Sequence, residues 1–145
     1  MVQSSVTSDV GQILDTMISL TRLVPLQRAI VAGSESGEMY LELRRRGFIR
    51  ATTPELCPRT RVQYAVGFIA DHDSIAGIEP SLDQISAFLA VNAELALLVG
   101  SGQNGLKIRR KLEALGFRVE AGVRCSQGLV LSASRHGYEQ LALAA

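Results

Sequence analysis

Tryptophan is absent, aromatic residues make up only 5% of the chain, and neither sign of charge dominates. With 15 Lys and Arg against 14 Asp and Glu, the net charge of +1 supplies no overall field to draw in nucleic acid or an anionic membrane. Any charged partner has to be met by a local patch. Cysteine is equally scarce: Cys57 and Cys125 form no CxxC spacing, which excludes a disulfide framework and a zinc knuckle and suits reduced thiols. The opening MVQSSVTSDVGQ lacks the basic start and apolar run of a signal peptide, so the expectation is a cytoplasmic protein. The most apolar stretch, residues 85–99, contains Asn92 and Glu94 and is too short to span a bilayer. What is present is 145 residues, 47% hydrophobic and 20% charged, enough for one compact domain over residues 1–145 with a real core.

The hydrophobic spacing predicts an N-terminal helix within residues 1–26, with Ser8 and Asp9 as caps and Val10, Ile13, Leu14, Met17 and Ile18 on one face, ended by Pro25. Residues 28–32 (RAIVA) read as a buried strand that enters a tight turn, Gly33, Ser34, Glu35, Ser36 and Gly37. A helix over residues 37–46 follows, with three arginines in its last turn and Gly47 beyond its end. Residues 48–53 (FIRATT) read as a second strand, 54–63 as an irregular connection, and 64–70 (YAVGFIA) as a third strand. Ile78, Leu82, Ile85 and Leu89 recur at helical spacing, residues 94–99 (ELALLV) make a fourth strand, and Ile108, Leu112 and Leu115 define a last helix closed by Gly116. This alternating core spans residues 27–116. From Phe117 through Val119, Ala121 and Val123 to Cys125 the period becomes two, and after a turn at Ser126, Gln127 and Gly128 the segment 129–134 (LVLSAS) returns. Residues 117–136 therefore read as an antiparallel hairpin.

Strands that alternate with helices require parallel pairing with both faces covered. The expected architecture is α/β, a doubly wound and mostly parallel sheet of about six strands with a C-terminal antiparallel hairpin. In such sheets ligands bind beyond the carboxyl ends of the strands, here after Ala32, Thr53, Ala70 and Val99.

The initial helix, the strand ending in Gly-Ser-Glu-Ser-Gly, the alternating units and the closing hairpin together resemble the class I S-adenosylmethionine-dependent methyltransferase fold over nearly the whole chain. The segment GFIADHDSIAGIEPSLDQI is similar to the region after the fourth strand of small-molecule O-methyltransferases, with Ala70 where those families carry an aspartate. The resemblance implies S-adenosylmethionine or a related nucleoside bound by Gly33, Ser34, Glu35, Gly37 and Asp71, with His72 as the candidate catalytic base. It also implies a small-molecule partner. Gly33 and Gly37 match the outer glycines of the family's turn, while Glu35 replaces the middle one and no acid ends the first or second strand.

Each candidate has a structural alternative. The turn can be a plain strand-to-helix junction capped by Ser34 or Ser36; equally, its glycines admit a ligand and Glu35 can accept a bond from an ammonium group. Asp71, His72 and Asp73 offer carboxylates and an imidazole, or else a polar loop in which Asp73 or Ser74 caps the next helix. The loop 100–104 supplies no further carboxylate, so no metal is expected. Glu55 lies late for holding ribose hydroxyls. The basic runs at Arg44, Arg45, Arg46, Arg50, Arg59 and Arg61, and from Lys107 to Lys111, lack interleaved aromatics and read as solvated helix faces rather than a nucleic-acid interface. Cys57, beside Pro58, and Cys125, on the apolar side of the hairpin, have no activating neighbour; His136 suggests no site. The family fold has a helix, a strand and a further helix after the second strand, which the ten residues 54–63 cannot contain. The alternative to catalysis is therefore a noncatalytic binding or interaction domain, with a second copy (a homodimer) or another chain at the sheet edge left by the second strand.

Overall fold

The computed structural model describes residues 2–56, 64–70, 78–100, 105–125 and 128–135. They form helices α1 (Val2–Thr21), α2 (Ser36–Arg45), α3 (Ile78–Ser86) and α4 (Gly105–Ala114), and strands β1 (Ala29–Ala32), β2 (Ala51–Thr52), β3 (Tyr64–Ala70), β4 (Leu89–Val99), β5 (Phe117–Cys125) and β6 (Gly128–Arg135). One mixed sheet runs in the order β2-β1-β3-β4-β6-β5, parallel from β2 to β4 and antiparallel across β4, β6 and β5. This is the expected α/β architecture. No helix among the described residues is long and apolar enough to cross a membrane.

Alternation along the strands divides the core in two. Ile30, Ile69, Leu95, Leu97 and Leu131 turn toward α3 and α4, where Ile78, Leu82, Ile85, Ile108 and Leu112 meet them. Val31, Val66, Phe68, Ala96 and Leu98 turn toward α1 and α2, against Leu14, Met17, Met39 and Leu43. Gly67 is where the first face has least room: a β-carbon there would lie 3.0 Å from Ile85 Cδ1.

Four boundaries depart from the sequence pattern. Helix α1 begins at Val2, so Ser8 and Asp9 lie inside it and do not cap it; no glycine or proline precedes them to stop the helix. Strand β2 keeps only Ala51 and Thr52, because the Phe48 amide donates to the Leu43 carbonyl in the α2 cap around Gly47 (φ +97°) and the Phe48 carbonyl closes a turn on Ala51. Leu89 starts β4 and is not the last turn of a helix: the Phe88 amide bonds Ile85 and the Phe88 carbonyl takes the Tyr64 amide, so β3 recruits the segment as strand. In β5 a register shift between Val119 and Ala121 reverses the faces. Phe117 and Val119 pack with the α3 and α4 side whereas Cys125 packs with the α1 and α2 side, so Cys125 does not continue the face begun by Phe117.

Candidate functional site

The chain passes from β1 outward to β2, then returns to lay β3 on the other side of β1. The order therefore reverses between β1 and β3, and a crevice at their carboxyl ends is the expected ligand position in an open α/β sheet. The turn from Gly33 to Gly37 crosses it. Gly33 has φ +102°, and a β-carbon there would lie 2.4 Å from the Ala70 carbonyl oxygen, so only glycine allows the turn to lean over the end of β3. The Glu35 amide donates to that Ala70 carbonyl at 3.1 Å, and the Ser36 amide to the Gly33 carbonyl at 3.1 Å. Glu35, with φ −94° and ψ 8°, holds the N-cap position of α2 without a side-chain cap bond, so neither Ser34 nor Ser36 is the N-cap. Ser34 is exposed and the Glu35 side chain half-buried. Gly37 has open space where a side chain would go, so packing does not demand a glycine at that position.

Gly33, Ser34, Glu35 and Gly37 are thus brought together over the end of β3. Asp71, which follows Ala70 in sequence, lies outside the described residues, as do His72, Asp73, Ser74, Cys57, Arg59, Arg61, Ser101, Asn104 and His136. The end of β2 offers Thr52 and the buried Thr53, with Glu55 exposed beyond them.

Several residues of the basic runs have partners within the fold. Arg46 donates to Glu42 at 2.9 Å, to Asp15 and to the Gly11 carbonyl, tying α2 to α1. Burial pulls its guanidinium down, but Glu42 and Asp15 outweigh it and hold Arg46 above its usual range. Arg45 also pairs with Glu42, and Arg44 bonds the Ile49 carbonyl. Lys107 and Lys111 reach Glu79 and Asp83 on α3. Arg46, Lys107 and Lys111 thus tie helix to helix, whereas Arg44 and Arg45 bond within α2 and the turn that follows it.

A second polar group was missed by the sequence reading. Arg22, Glu94, Glu120, Ser132 and Ser134 line one groove, on the face of the sheet that α1 covers. The signal was there in retrospect: Glu94 interrupts an apolar strand, and Ser132 and Ser134 fall two apart in another. Burial, with the neighbouring Glu120 carboxylate, pushes Glu94 above the ordinary carboxyl range, against the attraction of Arg22. A raised folded value means that the stability gained from protonated Glu94 is complete at low pH and is lost as pH rises through that value. Glu94→Gln keeps the shape without the charge, so its urea midpoint should match the parent below about pH 4 and exceed it at about pH 7. Equal midpoints at neutral pH would show that Arg22 already compensates the charge.

The sequence matches no family model and no curated protein. Solved structures do match. A precorrin-6y C5,15-methyltransferase from Geobacter metallireducens superposes with TM-score 0.59 at 17% identity, covering 85% of this chain and 87% of that one. An amino pentose methyltransferase from Micromonospora echinaspora, solved with S-adenosylmethionine bound, gives 0.59 at 10% identity over 93% and 97% of the two chains. A methyltransferase-like protein from Escherichia coli gives 0.57 at 10% identity over 87% of each. At these identities the likeness is one of fold, and the fold is that of the class I S-adenosylmethionine-dependent methyltransferases.

Proposed function

We propose that this chain is a methyltransferase-like protein that binds S-adenosylmethionine or a related nucleoside at the Gly33 to Gly37 turn. The observation that carries this reading is the turn itself, fixed by Gly33 against Ala70 at the switch point between β1 and β3. A relative of the same fold solved with S-adenosylmethionine bound supports the ligand class. The residues present suit such a ligand in part. Gly37 leaves room for close approach, and the Glu35 carboxylate can accept from an ammonium group. Asp71, one residue beyond the Ala70 carbonyl that the turn grips, completes the proposed contacts with Ser34. When bound, the cofactor would supply an electrophilic methyl group. The protein's part is to position an acceptor, with His72 removing a proton from its hydroxyl. No metal takes part in this reading.

The second reading is a noncatalytic binding or interaction domain that keeps the sheet. It is favoured by one observation: β2 ends in threonines where a ribose-holding carboxylate would stand, and it is two residues long. In both readings residues 1–145 act as one domain in the cytoplasm, and a second copy or partner chain against the β2 edge walls the site.

Calorimetric titration with S-adenosylmethionine and S-adenosylhomocysteine decides between the two. Cofactor binding predicts a saturable, micromolar response that raises the melting temperature by several degrees at millimolar ligand. Gly37→Leu fills the open space at the turn and should remove that response while leaving the protein folded. No response from either ligand in the parent would discard the cofactor reading and leave the noncatalytic one.

A further inference from the structure

At the opposite end of the sheet, a groove of about 450 Å³ opens beneath the last turn of α1. Glu94 pairs with Val66, which is level with Ala29 at the start of β1, whereas Leu98 pairs with Ala70 at the end of β3. The groove thus lies about 13 Å along the sheet from the turn, at about 3.3 Å per residue, and does not depend on how that turn is read.

Its polar groups are arranged around one opening. Glu94 shares its face of β4 with Ala96 and Leu98, and its half-buried carboxylate accepts no hydrogen bond and makes no ion pair among the described residues. Across from it, the shift in β5 places Glu120 beside β6, where it accepts a hydrogen bond from the Ser134 hydroxyl. Ser132 is only 7% exposed, yet its hydroxyl has no partner among the described residues. No described side-chain polar atom is both sealed off and unpartnered, so the Ser132 oxygen must open into the groove it lines. A hydroxyl on a residue more than nine-tenths buried, open into the groove beside two carboxylates, is left available to whatever occupies that space.

We propose that this groove is a second ligand site, for a small primary amine whose ammonium group is held by Glu94, Glu120 and Ser132. An ammonium group carries three N–H donors and no acceptor, matching two carboxylates and a hydroxyl, and its charge offsets the carboxylate that Arg22 leaves uncompensated. Other cations fit less well. Divalent ions take about six or more oxygen ligands, and the described residues bring no third carboxylate, histidine or cysteine to this pair. A quaternary ammonium group needs an aromatic cage, and no aromatic residue lines the groove. Leu20 and Ala121 supply an apolar wall for an alkyl chain. The upward push on Glu94 from burial and from Glu120, opposed by Arg22, is relieved by a bound cation.

The test is calorimetry at about pH 7.5 with butylamine, 1,4-diaminobutane and 4-aminobutyrate, using tetramethylammonium as the cation without N–H donors; the amines are protonated there. Saturable binding of the primary amines, with tetramethylammonium at least about tenfold weaker, is expected. Ser132→Ala should weaken binding about tenfold, and Glu94→Gln and Glu120→Gln at least as much, since each removes a charge-assisted bond. Glu94→Gln should leave any S-adenosylmethionine response unchanged. Tighter binding of 4-aminobutyrate than of the diamine assigns the amine to the amino acids through Arg22, and the reverse assigns it to the polyamines. Absence of saturation, an equal response to tetramethylammonium, or unchanged affinity in Ser132→Ala and Glu94→Gln overturns the site.

Discussion

Gly33→Ala should cost this protein about 2–5 kcal/mol of folding stability. Two independent costs add. Alanine at φ +102° sits in a backbone conformation that L side chains rarely adopt, at about 1–2 kcal/mol. Its β-carbon would also stand 2.4 Å and 2.9 Å from the carbonyl oxygen and carbon of Ala70. That neighbour cannot swing away as a side-chain tip would, because it is backbone of β3, and Ala70 pairs with Leu98 on β4. Relief therefore requires lifting the turn off the strand and breaking the bond from the Glu35 amide to Ala70. Overpacking of this kind costs about 1–3 kcal/mol more. Urea denaturation followed by circular dichroism measures the sum. A loss under about 1 kcal/mol would mean that the turn relaxes freely and does not hold the crevice in place. The contrast is Gly37, four residues on, where the same methyl group meets nothing within 4 Å.

Phe68→Ala is the second large effect, expected at about 3–5 kcal/mol. Phe68 is fully buried at the centre of β3, with Val66 and Ala70 beside it, in the core that α1 and α2 cover. Its removal loses both the transfer energy of the ring and the contacts of everything around the resulting cavity. The surroundings collapse poorly, since α1 is tied to α2 by Arg46 through Asp15 and the Gly11 carbonyl. With domains of this size stable by about 5–15 kcal/mol, the variant should remain folded but melt well below the parent. Phe68→Leu, closer in volume, should cost about half as much or less. Equal midpoints for Phe68→Ala and the parent in urea would show that the space refills and that this core is not close-packed.

The boundaries of β3 and the glycines ending α2 and α4 were legible because a short apolar run and a glycine beyond a helix act locally. Phe48 and Leu89 were misread for the opposite reason: each continues a local pattern, yet long-range or capping bonds claim it. The amide of Phe48 caps α2, and the carbonyl of Phe88 is taken by Tyr64, a residue distant in sequence. The face of Cys125 could not be read from period two because a bulge is an insertion relative to a partner strand, invisible on one strand alone. The turn at Gly33 was located from its glycines, although the reason for the first of them, the carbonyl of Ala70, lies on another strand. The groove went unnoticed because Arg22, Glu94, Glu120 and Ser132 come from four places in the chain.

The sequence by itself determined the order of elements and the place of the turn at the end of β1, since propensity and hydrophobic period act over a few residues. Tertiary structure alone decided where helix gave way to strand between Ser86 and Leu89, which way the far half of β5 faces, and which distant charges meet. Those outcomes are set by pairing register and packing across the sheet, where free energy depends on partners that no local window contains.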